Sequence, residues 1–300
     1  MYPLKYTEPV FRPPSEWKSL ILQVTNGCSW NRCTFCEMYS DEEKKFKPKK
    51  IDLIEKEIIS IVKTGMPVGR VFLADGDAMM LPFNRLKEIL LLIKQYLPQV
   101  TRVSSYCLPR NLTNKTVEQL SELQALGLKL MYVGCESGDN EVLELIEKGE
   151  TYNSSLIALN KIKQSGMKSS VMILNGLGGP ELSKQHAINS AKLMNEAQPD
   201  FLSTLVVSFP QGQQRFAKGF IDRQHQPFRL LNQLELFQEM KLLLSELELE
   251  KTVFRSDHAS NYLVLKGILG KDKEKLVNTV QMALEQSGNI SIRQEWERGL

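Results

Sequence analysis

Cys28, Cys33 and Cys36 crowd into nine consecutive residues of a 300-residue chain. Thiolates are soft ligands and select iron–sulfur clusters, zinc or copper(I). A structural zinc site takes four ligands, usually as two separated pairs. The remaining cysteines, Cys107 and Cys135, stand far beyond the triplet, and neither belongs to a CxxC pair. The histidines, His186, His225 and His258, are equally remote. Three thiolates in one loop with no fourth ligand nearby suit a [4Fe–4S] cluster that keeps one iron open. An open iron can take the amino and carboxylate groups of a small molecule, whereas a fully ligated cluster only passes electrons. A structural zinc or redox-inert thiol site is the competing reading.

Other stretches carry side chains suited to chemistry. Asp75-Gly76-Asp77-Ala78 follows an apolar run. An acidic turn suits an ammonium group and a glycine admits close backbone approach, although Asp-Gly is also an ordinary turn. Val133-Gly134-Cys135-Glu136-Ser137-Gly138 sets Glu136 at a strand end, as a ligand contact or a helix-start carboxylate. Met172 to Pro180 holds Asn175, Gly176, Leu177, Gly178 and Gly179 without GxGxxG spacing, so it is a backbone surface for a ligand or a plain loop. Arg255 to Tyr262 is dense in polar groups, and His258 or Tyr262 can pass a proton or a hydrogen atom; a surface turn before a core strand at 262–265 is the alternative. Arg110 can pair with a carboxylate, and Cys107 can donate a hydrogen atom or simply pack, as buried cysteines usually do. Cys135 reads as packing. The basic run 44–50 reads as a solvated loop, with contact to an anionic substrate or an acidic protein as the alternative.

These residues need elements to hold them. Apolar runs at 19–24, 71–74, 101–106, 129–133, 169–174 and 201–207 read as buried strands. Between them lie helical patterns: one closed by Gly65, one over 82–97, one capped by Thr113 and ended by Gly127, one over 140–165 broken near Gly149, and one over 184–196. Strict alternation predicts parallel strands with crossover helices. Six such units allow an open sheet or an incomplete barrel. In a barrel the chemistry sits at strand C-terminal ends, where Cys28, Asp75, Asp77, Cys107, Arg110, Glu136 and Asn175 fall. After Pro210 a Gln-rich polar segment runs to Pro227, followed by a helix over 230–249, a short strand at 252–255 and a last helix over 272–286. The division expected is an N-terminal segment 1–17, a core 18–215 and an extension 216–300 covering the barrel.

The net charge of +3 argues against a protein held to DNA by phosphate contacts. No apolar run is long enough to cross a bilayer, and 1–17 lacks the apolar core of a signal peptide. Five cysteines make a poor disulfide framework at this length. A cytoplasmic protein with a thiolate metal site is expected.

The chain resembles the radical S-adenosylmethionine (SAM) superfamily, whose commonest motif is CxxxCxxC with an aromatic residue before the third cysteine. Phe35 holds that aromatic position, and the spacing here is Cx4C rather than Cx3C. The resemblance implies an incomplete (β/α)6 barrel, a [4Fe–4S] cluster on Cys28, Cys33 and Cys36, and SAM on its open iron. It implies reductive cleavage of SAM to a 5′-deoxyadenosyl radical that takes hydrogen from a substrate. Gly76 and Asp77 match the Gly-Gly-Glu-like turn that binds the SAM amino group. Glu136 matches a strand-end residue near the ribose, and Asn175 and Gly176 match a turn that packs against adenine. A low-potential reductant such as flavodoxin or ferredoxin is implied, with a small-molecule or RNA substrate.

The branch it resembles includes anaerobic coproporphyrinogen oxidase and the elongator catalytic subunit. The former carries a further cysteine just after the triplet, where Glu37 and Met38 stand here. That difference argues against porphyrinogen decarboxylation. The chain leaves no room for the elongator's acetyltransferase domain and shows no methylthiotransferase or cobalamin domain. A non-catalytic iron–sulfur or zinc protein, serving as carrier or scaffold, is the alternative; it predicts a four-ligand site and no SAM cleavage.

Overall fold

The computed structural model describes residues 4–39, 41–209, 212–222, 228–287 and 290–298. Strand β1 (Leu20–Gln23) leads into a two-stranded ribbon, Thr25–Asn26 against Lys47–Pro48, and then α1 (Ile51–Lys63). There follow β2 (Arg70–Ala74), α2 (Phe83–Tyr96), β3 (Arg102–Cys107), α3 (Val117–Ala125) and β4 (Leu128–Glu136). Next come α4 (Asn140–Leu145), α5 (Tyr152–Gln164), β5 (Lys168–Asn175), α6 (Gly179–Ala197) and β6 (Phe201–Val206). The described chain continues with α7 (Gln214–Asp222), α8 (Gln233–Glu246), β7 (Val253–Ser256), β8 (Leu265–Ile268) and α9 (Leu269–Leu284).

The chain divides into two compact units. The first comprises Met1–Asn31, Met38–Val133 and Ala158–Ser169. Apart from the antiparallel ribbon, its strands are parallel, in the order β1-β2-β3-β4. The register puts Leu20 beside Val71 and Val71 beside Val103, so one face of the sheet is a row of buried aliphatic residues. Each such side chain contributes about 1.5–3 kcal/mol on leaving water. Residues before β1 lie along this unit: Tyr6 donates to the Ile21 carbonyl, and Arg102 pairs with buried Glu16 at 2.8 Å.

The second unit comprises Arg32–Glu37, Gly134–Ile157 and Ser170–Leu300. Here β5, β6 and β7 are parallel and β8 runs antiparallel to β7. Helix α8 packs on α6 and α9. The strand expected at 252–255 is therefore a parallel neighbour of β6. An aromatic cluster of Phe209, Phe216, Phe220 and Phe228 fills the space by α4 and α7.

Several boundaries differ from the sequence reading. Thr116, not Thr113, caps α3, because the Thr116–Gln119 pair closes a reciprocal capping box. The pattern over 140–165 forms two helices, since 146–151 leaves the helix around Gly149. Helix α6 begins at Gly179 with Pro180 in its first turn, where a missing N–H costs nothing. Helix α7 lies in the stretch read as a polar loop. Residues 210–211 and 223–227 of that stretch are outside the described residues. The strand expected at 262–265 begins only at Leu265.

Candidate active site

The acidic turn after β2 spends its first carboxylate on structure. Asp75 Oδ2 accepts hydrogen bonds from Lys44 Nζ at 2.7 Å, Gly27 N at 3.3 Å and Gln23 Nε2 at 3.4 Å. Lys44 Nζ also donates to the Thr7 carbonyl at 2.6 Å, and both members of the ion pair are fully buried. Lys44 thus departs from the solvated loop expected of 44–50, because the Asp75 carboxylate draws it inward. Its neighbours Lys45, Lys47 and Lys50 are exposed, and Lys49 pairs with Glu57 at 2.8 Å.

The second carboxylate holds the cluster loop. Asp77 Oδ2 accepts from the Ser29 N–H at 3.2 Å and from the Ser29 hydroxyl, one residue after Cys28. Burial lifts the Asp77 carboxyl above its ordinary range, against the pull of the Ser29 hydrogen bonds. Trp30, the next residue, lies under the Arg110 guanidinium, 3.7 Å from its ring centroid. Arg110 is thus stacked on the loop that carries Cys28, and its charge also acts on the Asp77 carboxyl. A Cβ on Gly76 would fall 2.4 Å from the Tyr39 ring, so only glycine fits this cradle.

The second half of the loop packs on the end of α4. The Thr34 N–H donates to the Ile146 carbonyl at 3.0 Å, and Cys36 N–H to Cys33 O at 3.2 Å. Phe35 packs against the cluster around Val142, Leu143 and Ile146. Lys148 stands 5.7 Å from the Phe35 ring centroid and donates to Glu136 Oε1 at 3.0 Å. Burial works to neutralise Lys148, but the charges of Glu136 and Cys33 more than offset it and hold the ammonium form. Glu136 ends β4 with φ +65°, in the left-handed region that few non-glycine residues adopt. Cys135 beside it is fully buried, and burial pushes its thiol up to about 12, so it is packing. Cys107 is buried too, donating to the Leu108 carbonyl at 3.3 Å.

Asn175 ends β5 and lines a small apolar cavity with Phe237 and Tyr262. His258 and Tyr262 share a turn clasped by the 293–298 segment, with Arg293 donating to the His258 and Asn261 carbonyls. The Ser260 N–H donates to His258 Nδ1 at 3.1 Å, which leaves the neutral ring's proton on Nε2. Burial and Arg293 lower the His258 pKa, so the ring is neutral at pH 7. The Tyr262 hydroxyl donates to Glu295 at 2.5 Å, and its ring lies under Arg298.

The buried atoms left without a hydrogen bond include three carboxylate oxygens: Asp75 Oδ1, Asp77 Oδ1 and Glu136 Oε2. Each forfeits about 1–3 kcal/mol unless a donor arrives. An ammonium and ribose hydroxyls are such donors, so the residues fit SAM. None of the five cysteines is joined in a disulfide. Among the described residues no three His, Cys, Asp or Glu side chains converge on one ion, and a cube, with a separate iron for each thiolate, does not ask them to. His186 is held by Ser137 and the Leu174 carbonyl, and His225 lies outside the described residues. Lys148 and Ser29 were missed by sequence reasoning. Lys148 stands in a charged stretch, between Glu147 and Gly149, and neither it nor Ser29 left a signal in the sequence.

Parallel strands with crossover helices, and a three-cysteine loop following the first strand, mark the chain as an α/β protein with a cysteine-rich loop. Residues 22–194 match the model of the radical SAM superfamily, and the chain belongs to it. The superfamily uses a [4Fe–4S] cluster and SAM. The heme chaperone HemW of Bacillus subtilis (strain 168) is 24% identical over 184 residues, covering 57% of this chain and 48% of that protein. The fold matches coproporphyrinogen III oxidase (HemN) of Escherichia coli with TM-score 0.56 and 19% identity, over 76% of this chain and 52% of that one. It matches methylornithine synthase (PylB) with TM-score 0.51 and 18% identity, over 77% and 63%. The chain spans about half the length of HemW and of HemN. No described helix is long and apolar enough to cross a membrane.

Proposed function

We propose that this chain cleaves SAM reductively at a [4Fe–4S] cluster held by Cys28, Cys33 and Cys36, and so removes a hydrogen atom from a substrate. The observation that carries the reading is a cysteine triplet outside any disulfide, with Ser29 beside Cys28 hydrogen-bonded to Asp77, a buried carboxylate with one oxygen still unsatisfied. When bound, the cluster and SAM supply the one-electron chemistry. The chain's own residues bind and orient. Asp77 and the Gly76 backbone receive the SAM ammonium, and Lys148 is the cation for its carboxylate. Glu136 offers Oε2 to the ribose, and the Asn175–Gly176 turn faces adenine. Phe35 excludes water beside the loop. Arg110, stacked on Trp30, steadies the loop and places a positive charge there. His258, with its Nε2–H, is the candidate substrate donor, and Tyr262 holds its turn through Glu295.

An electron must come from a low-potential donor such as flavodoxin or ferredoxin, and the exposed Lys45, Lys47 and Lys50 suit an acidic partner. Cysteines outside any disulfide agree with a cytoplasmic setting. The segment 216–300 is read as an extension that tunes the core's specificity. A non-catalytic carrier remains the second reading. Anaerobic reconstitution with iron and sulfide, then reduction with SAM present, separates the two. Formation of 5′-deoxyadenosine supports the enzyme; an intact cluster without it supports the carrier.

A further inference from the structure

The turn after β5 is held by a helix distant in sequence. Gly176 has φ +83°, and a Cβ there would come within 3.1 Å of Leu236 Cδ2 on α8. The Gly176 N–H donates to Glu239 Oε1 at 2.6 Å, and the Ser183 hydroxyl of α6 donates to Glu239 Oε2 at 2.5 Å. Glu239 is only 4% exposed, so these donors replace nearly all its water. Burial raises its pKa, opposed by His186, Ser183 and Gly176.

His186, also buried, continues the network. Its Nε2 lies 3.0 Å from the Leu174 carbonyl, which can only accept, so Nε2 carries a proton. Its Nδ1 is 2.8 Å from the Ser137 hydroxyl, in the turn that begins at Glu136. His186 therefore ties the end of β4 to the end of β5, and Glu239 ties the end of β5 to α6 and α8. Packing alone does not call for a buried carboxylate here, since an apolar side chain of similar volume costs less. What the carboxylate adds is direction: it fixes where a glycine turn aims its other backbone groups. Glu239 also lies outside residues 22–194, so it is not part of the core that the superfamily model matches.

We propose that Glu239 is a positioning residue for the nucleoside end of SAM, presetting the 175–178 backbone that faces adenine. The inference rests on the SAM-binding reading above and deepens it. Glu239→Gln keeps an acceptor for Gly176 and a partner for Ser183. Glu239→Leu keeps neither, and Glu239→Asp is one methylene too short to span both.

The test uses reconstituted protein under anaerobic conditions. Affinities for SAM, 5′-deoxyadenosine and methionine are measured by calorimetry, with iron content and thermal midpoint recorded for each variant. Glu239→Leu is expected to weaken SAM and 5′-deoxyadenosine roughly tenfold, while methionine binding and iron content hold and Glu239→Gln stays within about threefold of the parent. A merely structural residue would move methionine as well. If Glu239→Leu does not fold, Glu239→Asp decides, with roughly a threefold loss expected for SAM and 5′-deoxyadenosine and none for methionine. Unchanged nucleoside affinity in the folded variant, or an equal loss for methionine, overturns the inference and leaves the SAM reading intact. Failure of the parent protein to bind SAM overturns that reading first.

Discussion

The turn after β2 and the turn after β5 solve one problem in opposite ways. The first is held from its own end of the chain: Thr7, Gln23, Gly27, Ser29 and Lys44 supply partners to Asp75, Lys44 or Asp77. The second is held from afar, by Glu239 and Leu236 of α8. A turn welded to the loop that carries Cys28 ties its shape to cluster loading. A turn braced by a late helix can be retuned without touching the cysteines. The contrast sets the turn beside the cysteine loop, proposed above as the chemical end, against a turn held by α8, proposed above as the nucleoside end and braced from outside the residues the family model matches.

The largest effect expected is at the chemical end. Cys33→Ala removes one thiolate of three and should abolish both cluster and cleavage, read as iron content and 5′-deoxyadenosine. A variant that keeps an intact, SAM-cleaving cluster breaks the comparison outright. Next is Lys44→Ala, which leaves Asp75 buried and unpaired. It should lower stability by about 3–5 kcal/mol in chemical denaturation, whereas a surface lysine such as Lys45 should change it by less than about 0.5 kcal/mol.

The sequence made much of this legible and part of it not. Cys28, Cys33, Cys36 and the strand-end positions of Asp77, Glu136 and Asn175 follow from local spacing and strand–helix alternation. Lys44 did not, because a lysine in a basic run is drawn inward only by Asp75, 31 residues away. Glu239 did not either: on α8 it reads as one more charged helix residue, and its partner Gly176 is 63 residues distant. Thr113 reads as the cap of α3, but Thr116 holds that place because Gln119 closes the box with it. Local patterns name what a residue can do; long-range burial decides which do it.

Two smaller effects sharpen the contrast. Lys148→Met should weaken SAM binding by about 1.5–3 kcal/mol, measured by titration of the reconstituted protein, with iron content unchanged. The smallest lies at the start of α8, where Arg229 donates to Glu235 at 2.5 and 2.7 Å and its hydrogen bond holds the Glu235 carboxyl down from 4.5 to about 2. Because the folded value lies below the unfolded one, the stabilisation is present above about pH 4.5 and is lost as pH falls toward 2. The pair is exposed and worth less than about 1 kcal/mol. Arg229→Gln should flatten that part of an acid titration while leaving Cys28 chemistry untouched.

The open iron is best addressed by electron paramagnetic resonance of the reduced, reconstituted protein with and without SAM. The account predicts a [4Fe–4S] signal whose g-values shift when SAM is added, followed by 5′-deoxyadenosine on standing. A signal indifferent to saturating SAM would contradict it.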